Sequence, residues 1–163
     1  MRRRTLLMLL ALVVIATAWY LFRPELLFLN AKVNEEFPTT PASSSPEVLL
    51  AGSFHDVAHK GVGTATIHKL PDGNRVLRFV DFETSNGPDV HVYLVATNDA
   101  KDNDTVTQAG FIDLGSLKGN IGNQNYDLPS EIDIDKYRAV TIWCRRFGVN
   151  FATAPLTSQE GSI

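Results

Sequence analysis

The chain has 163 residues, with 15 Lys and Arg, 18 Asp and Glu, and a formal net charge of −3. This acidic balance argues against nucleic-acid binding, because phosphate contacts need clustered basic side chains. The single cysteine excludes an internal disulfide and a Cys-x-x-Cys redox pair. About 115 residues remain beyond the N-terminal segments, which is enough for one domain with its own core and not for two.

Residues 1–23 are predicted to be a transmembrane anchor or a signal peptide. Residues 5–22 are uncharged, and as a helix they would span roughly 27 Å, close to the hydrocarbon thickness of a bilayer. Arginines at positions 2–4 precede this run, so the positive-inside rule predicts a cytoplasmic N-terminus. The expectation is a single-pass cell-membrane protein with an extracytoplasmic domain. The small residues at 16–18 leave open a cleaved signal peptide and a secreted product.

Residues 24–46 are predicted to be a juxtamembrane segment followed by a Pro/Ser linker. The stretch at 23–37 is amphipathic, and it is either a short helix at the membrane or an ordered lead-in to the domain. The linker at 38–46 reads PTTPASSSP and lacks large apolar residues, so it should be extended. The folded domain is predicted to span residues 47–156, and residues 157–163 form a polar tail.

Short β-like segments separated by turn signals fill the predicted domain. Residues 64–70, TATIHKL, alternate, and residues 90–96, VHVYLVA, are typical of a buried strand. Residues 71–74, PDGN, predict a hairpin turn, because proline presets φ and glycine supplies the left-handed position. No helical period is sustained past residue 40. The sequence therefore predicts an all-β fold, an antiparallel β-sandwich of about seven or eight strands after a single N-terminal transmembrane helix.

One predicted strand carries the only cysteine, Cys144. Alternation along a strand puts Ile142 and Cys144 on one face and Trp143 on the other. A core-facing Cys144 would act as a small hydrophobic residue, since free cysteines are among the most buried side chains. The basic neighbours Arg145 and Arg146 favour a second interpretation, because positive charge stabilises the thiolate that reacts and binds metals. The residues alone leave both interpretations open.

The histidines do not form a metal signature. Four are present, at positions 55, 59, 68 and 91, and with one cysteine they match no zinc pattern. His59 lies in a glycine-containing stretch that predicts a loop, where a solvated ring is the simpler interpretation and a ligand is the alternative. No metal site is predicted. Phosphate loops, nucleophile elbows and HExxH motifs do not occur, so we do not expect a turnover enzyme.

Residues 47–156 resemble the DM-thirteen domain, also called the electron-transfer DM-thirteen domain. The most specific matches are a Gly-Pro-Asp strand at 87–90 and a Trp-Cys strand at 142–144. Residues 33–38, VNEEFP, also resemble the lead-in of bacterial membrane-anchored members. The remaining matches are spread along the domain: Gly52-Ser53-Phe54, His59, Gly61, Gly63-Thr64-Ala65-Thr66, Leu77-Arg78-Phe79, Asp81-Phe82, Val92-Tyr93-Leu94, Asp135, Tyr137, Phe147, Phe151 and Ala154.

The resemblance implies an all-β domain related to the DOMON domains, which bind haem or sugars. It implies that Cys144 is a redox centre, either as a free thiol or as a ligand to a bound group such as haem. His59 and Trp143 are then candidate cofactor-binding residues. Larger relatives carry cytochrome b modules in the same chain. This chain carries the domain alone, so its electron partner is expected to be a separate protein.

Two functional hypotheses follow. The first is a membrane-anchored, extracytoplasmic domain with a redox or electron-transfer role centred on Cys144, with Trp143 and Phe147 shielding the sulfur and Arg145 or Arg146 stabilising its charge. The second is a non-catalytic binding or scaffold module of the cell envelope, in which Cys144 only fills the core. The sequence identifies neither the cofactor nor the partner.

Overall fold

A computed structural model describes residues 2–22, 29–38 and 45–158 and shows one apolar helix ahead of a two-sheet β domain. Most of the predicted linker, part of the juxtamembrane segment and the end of the predicted polar tail lie outside the described residues. The helix, α1 (Arg2–Phe22), has 21 residues and is long and apolar enough to cross a bilayer. A signal sequence near the N-terminus would meet the same criteria.

Ten strands form two sheets in the described part of the chain. The first sheet contains β1 (Glu47–Ser53), β3 (Gly61–Lys69), β4 (Arg75–Thr84), β7 (Ile121–Leu128) and β10 (Thr157–Ser158). The second contains β2 (His55–Asp56), β5 (Val90–Val95), β6 (Phe111–Ser116), β8 (Ala139–Cys144) and β9 (Val149–Pro155). The strand orders are β10-β1-β3-β4-β7 and β2-β9-β8-β5-β6, with antiparallel pairing throughout. The predicted all-β sandwich is confirmed, and β2 and β10, of two residues each, raise the strand number above the predicted seven or eight.

The main core lies between the two sheets, where alternate residues of the long strands meet. Three phenylalanine rings pack together at its centre, with centroids 4.9 to 5.0 Å apart, from Phe54, Phe79 and Phe82. Each fully buried side chain of this size contributes roughly 1.5–3 kcal/mol relative to an exposed one. The core is continuous from these rings to the inner face of β8, so the second sheet is held by the same apolar contacts as the first.

A second, smaller apolar cluster covers the outer face of the second sheet. It is formed by Tyr93, Val95, Ala100, Val106, Ala139 and Trp143. Val106 belongs to a short helix, α2 (Asn103–Ala109), although no helical period is sustained past residue 40 in the sequence. Asp102 begins this helix, because its carboxylate accepts a hydrogen bond from the amide of Thr105 at 2.7 Å. The buried Val106 and this cap explain why the segment is helical.

Residues 29–38, which we call the strap, add to the free edge of β7. The amide of Val33 donates to the carbonyl of Ile121, and the amide of Glu35 donates to Asn123, both at 2.9 Å. The pairing is parallel. Of the two predicted alternatives for this stretch, the described residues show the ordered lead-in. The strap therefore joins the chain leaving α1 to the β domain through sheet hydrogen bonds.

Candidate functional site

Cys144 is the last residue of β8, and its side chain lies in the main core. It pairs with Val90 on β5 and with Val149 on β9. Its exposed fraction is 0%, and it belongs to the same apolar cluster as Ile142. The strand alternation seen in the sequence therefore predicts the correct face. No charged side chain is needed to explain this position, because a thiol packs as a small apolar group.

An exposed turn, residues 145–148, directly follows Cys144. The amide of Gly148 donates to the carbonyl of Cys144 at 2.9 Å, and Gly148 has the positive φ of 62° that closes the turn. The amide of Arg145 donates to the carbonyl of Asp89, also at 2.9 Å. Phe147 is 56% exposed at the tip. The buried sulfur is thus one residue from the surface along the chain.

Trp143 and Arg145 lie on the opposite face of β8 from the thiol. The Trp143 ring belongs to the outer cluster and stacks on Tyr93 with centroids 6.2 Å apart. The Arg145 guanidinium lies 3.6 Å from a carboxylate oxygen of Asp113. Phe147 extends into solvent from the turn rather than over the sulfur. The structure therefore places Trp143 and Arg145 on the other side of the strand from the Cys144 thiol and leaves Phe147 exposed.

His59 lies in the loop between β2 and β3, where it packs on the edge of the core. Its ring centroid is 4.0 Å from that of Phe151, and its amide donates to the Phe151 carbonyl at 2.9 Å. Phe151 belongs to the same core cluster as Cys144. Gly87 closes this end, because an added Cβ would lie 3.2 Å from the Phe151 ring. The structure thus links His59 to the Cys144 core through one aromatic ring.

A charged cluster on the outer face of the second sheet was not singled out from the sequence. His91 Nδ1 lies 2.9 Å from Asp113 Oδ1, and Nε2 lies 3.3 Å from Asp89 Oδ1. Arg145 lies 3.4 Å from the same Nε2. Burial and the Asp113 carboxylate raise the pKa of the neighbouring Tyr93, so its phenol stays protonated at neutral pH. Strand alternation predicts that Asp89 and His91 share a side, but it does not reveal the partner from β6.

The outer face of the first sheet carries a groove of about 650 Å³, away from Cys144. Phe37 of the strap closes one side, with its ring 4.9 Å from His68 and 5.6 Å from the Arg78 guanidinium carbon. Burial and the positive charge of Arg78 lower the pKa of His68. This groove is therefore a surface feature of the strap and first sheet, separate from the Cys144 core.

The surroundings of Cys144 do not fit a haem. A thiolate that ligates haem iron needs a slot beside the sulfur for the planar macrocycle. The Cys144 side chain is instead enclosed by the packed inner faces of two sheets, with no exposed fraction. Within the described residues, no group of three His, Cys, Asp or Glu is placed to hold a metal ion. The closed core therefore gives the haem option no support.

A protein-family model described as Electron transfer DM13 matches residues 53–156. The chain belongs to the DM13 family. The match covers well over half of the chain, includes Cys144, His59 and Trp143, and extends from the end of β1 through β9. The family description gives the DM13 domain a general association with electron transfer. No similar protein was found among curated proteins or among solved structures.

Proposed function

We propose that this DM13 protein is a membrane-anchored, extracytoplasmic electron-transfer domain whose redox centre is Cys144. The observation that carries the proposal is the position of the only thiol. Cys144 ends β8, directly beside an exposed turn, in a family whose description names electron transfer. A strand end opens at lower free energy than a strand centre, so this position allows a sealed thiol to be reached.

The membrane part of the proposal rests on α1 and the strap. The helix has the length and composition of a membrane span, and three arginines at its start favour a cytoplasmic N-terminus. The β domain would then lie outside the cytoplasm. The strap contains the VNEEFP stretch that resembles the lead-in of bacterial membrane-anchored members, so we place the chain among them.

A lone thiol transfers reducing equivalents by exchange with a partner. The Cys144 thiolate would attack a disulfide of a separate redox protein, forming a mixed disulfide and releasing one partner thiolate. The proton of Cys144 leaves to water before the attack, and the released thiolate takes up a proton afterwards. A thiolate of a second redox protein, a dithiol, then attacks the Cys144 sulfur of the mixed disulfide, which releases the first partner as a dithiol and forms a new mixed disulfide. The other thiol of the second protein resolves this bond, which restores Cys144 and leaves the second protein as a disulfide. Two electrons thereby pass from the dithiol protein to the disulfide protein.

Complete burial of the side chain favours a second candidate function. In a non-catalytic binding or scaffold module, Cys144 would fill the space between the sheets and never react. The large groove on the first sheet would then be a natural place for a ligand or partner. This function needs no opening of the turn at 145–148.

Acid trapping of thiols in membranes that contain the full chain tests the redox function. Rapid acid quenching, alkylation under denaturing conditions and mass spectrometry give the fraction of Cys144 that is reversibly oxidised. The redox function predicts a fraction that rises when the cells are exposed to a disulfide-forming oxidant such as diamide and falls with dithiothreitol. The Cys144→Ala variant assigns the signal. A thiol that stays fully reduced under the oxidant would contradict the redox function and favour the binding module.

A further inference from the structure

The strap enters the β domain at one particular end of the sandwich. The side-chain amide of Asn86 donates to the carbonyl of Leu29 at 2.6 Å, at the start of the strap. Asn120 donates to the side chain of Asn30 at 2.9 Å. Asn86 lies in the connection from β4 to β5, and Asn120 directly precedes β7. The chain that leaves α1 is therefore fixed where β4 ends and where β5 and β7 begin.

The turn at 145–148 lies at the same end. Its first residue, Arg145, is bound through its amide to Asp89, in the same β4–β5 connection as Asn86. The guanidinium of Arg146 also donates to the carbonyl of Leu21, in the last turn of α1. Two independent contacts thus bring the turn beside Cys144 to the end of the domain that faces the helix.

Chain length limits how far this end can move from the helix. Only residues 23–28 separate α1 from the strap, and a chain of this length spans at most about 25 Å when fully extended. The strap itself is hydrogen-bonded to β7 and cannot act as a free tether. If α1 crosses a bilayer, the end that carries the turn therefore remains close to its surface.

The exposed side chains of the turn suit the interface of a bilayer. Phe147 is 56% exposed at the tip, and Arg146 beside it is also exposed. An aromatic ring gains free energy by entering the headgroup region, and arginine binds lipid phosphates while its stem lies on apolar surface. Arg145 is already paired with Asp113, whereas the Arg146 guanidinium binds the neutral Leu21 carbonyl, so Arg146 carries the positive charge of the turn that no carboxylate among the described residues balances.

We propose that the turn at 145–148 docks on the bilayer that α1 crosses, with Phe147 in the headgroup region and Arg146 on the phosphates of anionic lipids. The inference rests on the proposed function in one respect, because it requires α1 to be a membrane anchor. Docking presents the end of the sandwich that holds Cys144 to the membrane surface. The partner that oxidises or reduces Cys144 is then itself a membrane-bound protein.

Spin-label accessibility in the full-length protein tests the docking. In a Cys144→Ala background, a nitroxide is attached at Phe147→Cys or at the control Glu131→Cys, and the protein is placed in nanodiscs. Glu131 follows β7 at the opposite end, near the Pro129 carbonyl that Arg75 binds at 3.1 Å. We expect oxygen to relax the label at 147 more strongly than a water-soluble nickel chelate, and the reverse at 131. Circular dichroism confirms that each variant is folded.

The two parts of the proposal fail in different ways. Flotation with liposomes after an alkaline wash tests α1 as an anchor, and a chain that does not float would contradict the anchor and the docking together. A chain that floats but gives the same aqueous accessibility at 147 and 131 would overturn the docking alone.

Arg146→Gln should lower the ratio of docked to free domain about fivefold in nanodiscs that contain phosphatidylglycerol. An unchanged ratio would contradict the phosphate contact assigned to Arg146.

Discussion

Cys144 is fully buried, yet it occupies the last position of its strand. The neighbours that seal it on β5 and β9 are Val90 and Val149, and Val149 is only half-buried. The turn that follows is joined to Cys144 by the Gly148 hydrogen bond. The proposed redox function requires that opening of this turn exposes the sulfur while the phenylalanine centre of the core stays packed. Burial would then set how often Cys144 reacts, and its place at the strand end would allow exposure by local opening.

The change in the free energy of unfolding when Cys144 is replaced shows whether the sulfur lies in an apolar environment. We expect Cys144→Ser to lower the free energy of unfolding by about 1–2 kcal/mol, because a hydroxyl is then buried in an apolar core. Cys144→Ala keeps the site apolar and should lose about 1 kcal/mol through the small cavity that it leaves. Urea unfolding monitored by circular dichroism measures both. Equal stability of the serine variant and the parent would show that the sulfur is not in an apolar environment.

His55 links β2 to the loop before α2 and provides a pH-dependent contact. Its Nε2 lies 2.8 Å from Asp99 Oδ1. Burial lowers the pKa of His55, but the Asp56 carbonyl and the Asp99 carboxylate raise it more, so the net pKa lies above its usual value. Because the folded pKa is the higher one, this contact contributes fully below the unfolded pKa of about 6.5 and is lost as pH rises through the folded pKa.

The variant Asp99→Asn tests this pH dependence. We expect it to lower the free energy of unfolding by about 0.5 kcal/mol in mildly acidic buffer, a small value because water screens the half-exposed pair. The difference from the parent should shrink as the pH rises above neutrality. Urea unfolding at a series of pH values measures it, with Asp72→Asn as a control at a carboxylate that binds Asn74 and is paired with no histidine among the described residues. A loss of stability that does not vary with pH would contradict the ion pair.

At the scale of elements, the strap is held by close backbone approach and by a carboxylate. Gly122 lies under it with a φ of 105°, and an added Cβ would lie 1.9 Å from the Val33 carbonyl oxygen. The Glu35 carboxylate accepts hydrogen bonds from the Lys118 ammonium at 2.8 Å and from the Asn125 amide at 2.7 Å. Burial raises the pKa of Glu35, but the hydrogen bonds from Lys118 and Asn125 lower it by more, so the net pKa lies below its usual value. The carboxylate is therefore ionised at neutral pH. The strap thus extends the five-stranded first sheet at the edge of β7 and is closely packed against it.

Two glycines with similar positive φ angles distinguish the effect of strap binding on stability from the effect of backbone strain. Gly115 has a φ of 108° with nothing within 4 Å of an added Cβ, so Gly115→Ala should cost only the strain of about 1 kcal/mol. Gly122→Ala brings strain from a similar φ and also displaces the strap, so we expect a loss of about 3 kcal/mol. Urea unfolding gives both values, and hydrogen exchange at residues 31–36 should increase only in Gly122→Ala. Equal effects of the two substitutions would contradict a tightly fitted strap.

At the scale of the whole molecule, the strap fixes which end of the β domain lies nearest to α1. The chain from α1 is bound along β7, and the first residues of the strap are fixed beside the turn that follows Cys144. A free Pro/Ser linker between helix and domain would leave the domain able to turn in any direction. The strap instead selects one end of the β domain to face α1. If α1 is the membrane anchor proposed above, the proposed redox partner of Cys144 is expected at the membrane surface.

The sandwich fold and the burial of Cys144 can be predicted from the sequence, because both depend on the local alternation of apolar and polar residues. The VHVYLVA stretch predicts a strand, and the parity of Ile142 and Cys144 predicts the core face, without knowledge of any partner strand. An ordered lead-in at the strap is one of the two alternatives that the sequence offers, but its pairing with β7 cannot be predicted because the contacts are long-range: Glu35 binds Lys118, 83 residues later. The contact of His59 with Phe151 depends on tertiary pairing in the same way. The helix α2 was not predicted, although Asp102 as a capping residue and Val106 as an apolar residue in a polar segment were local signals for it.

The rate of Cys144 alkylation in the full-length, membrane-bound protein, measured across low urea concentrations, tests most directly whether Cys144 is a functional thiol. If local opening of the turn at 145–148 exposes the sulfur, the rate at low urea will be nearly independent of the denaturant, because little surface is exposed. Labelling will then be faster than global unfolding allows. A rate that follows the full urea dependence of unfolding from the lowest concentration would mean that only the unfolded chain reacts, and would contradict the account.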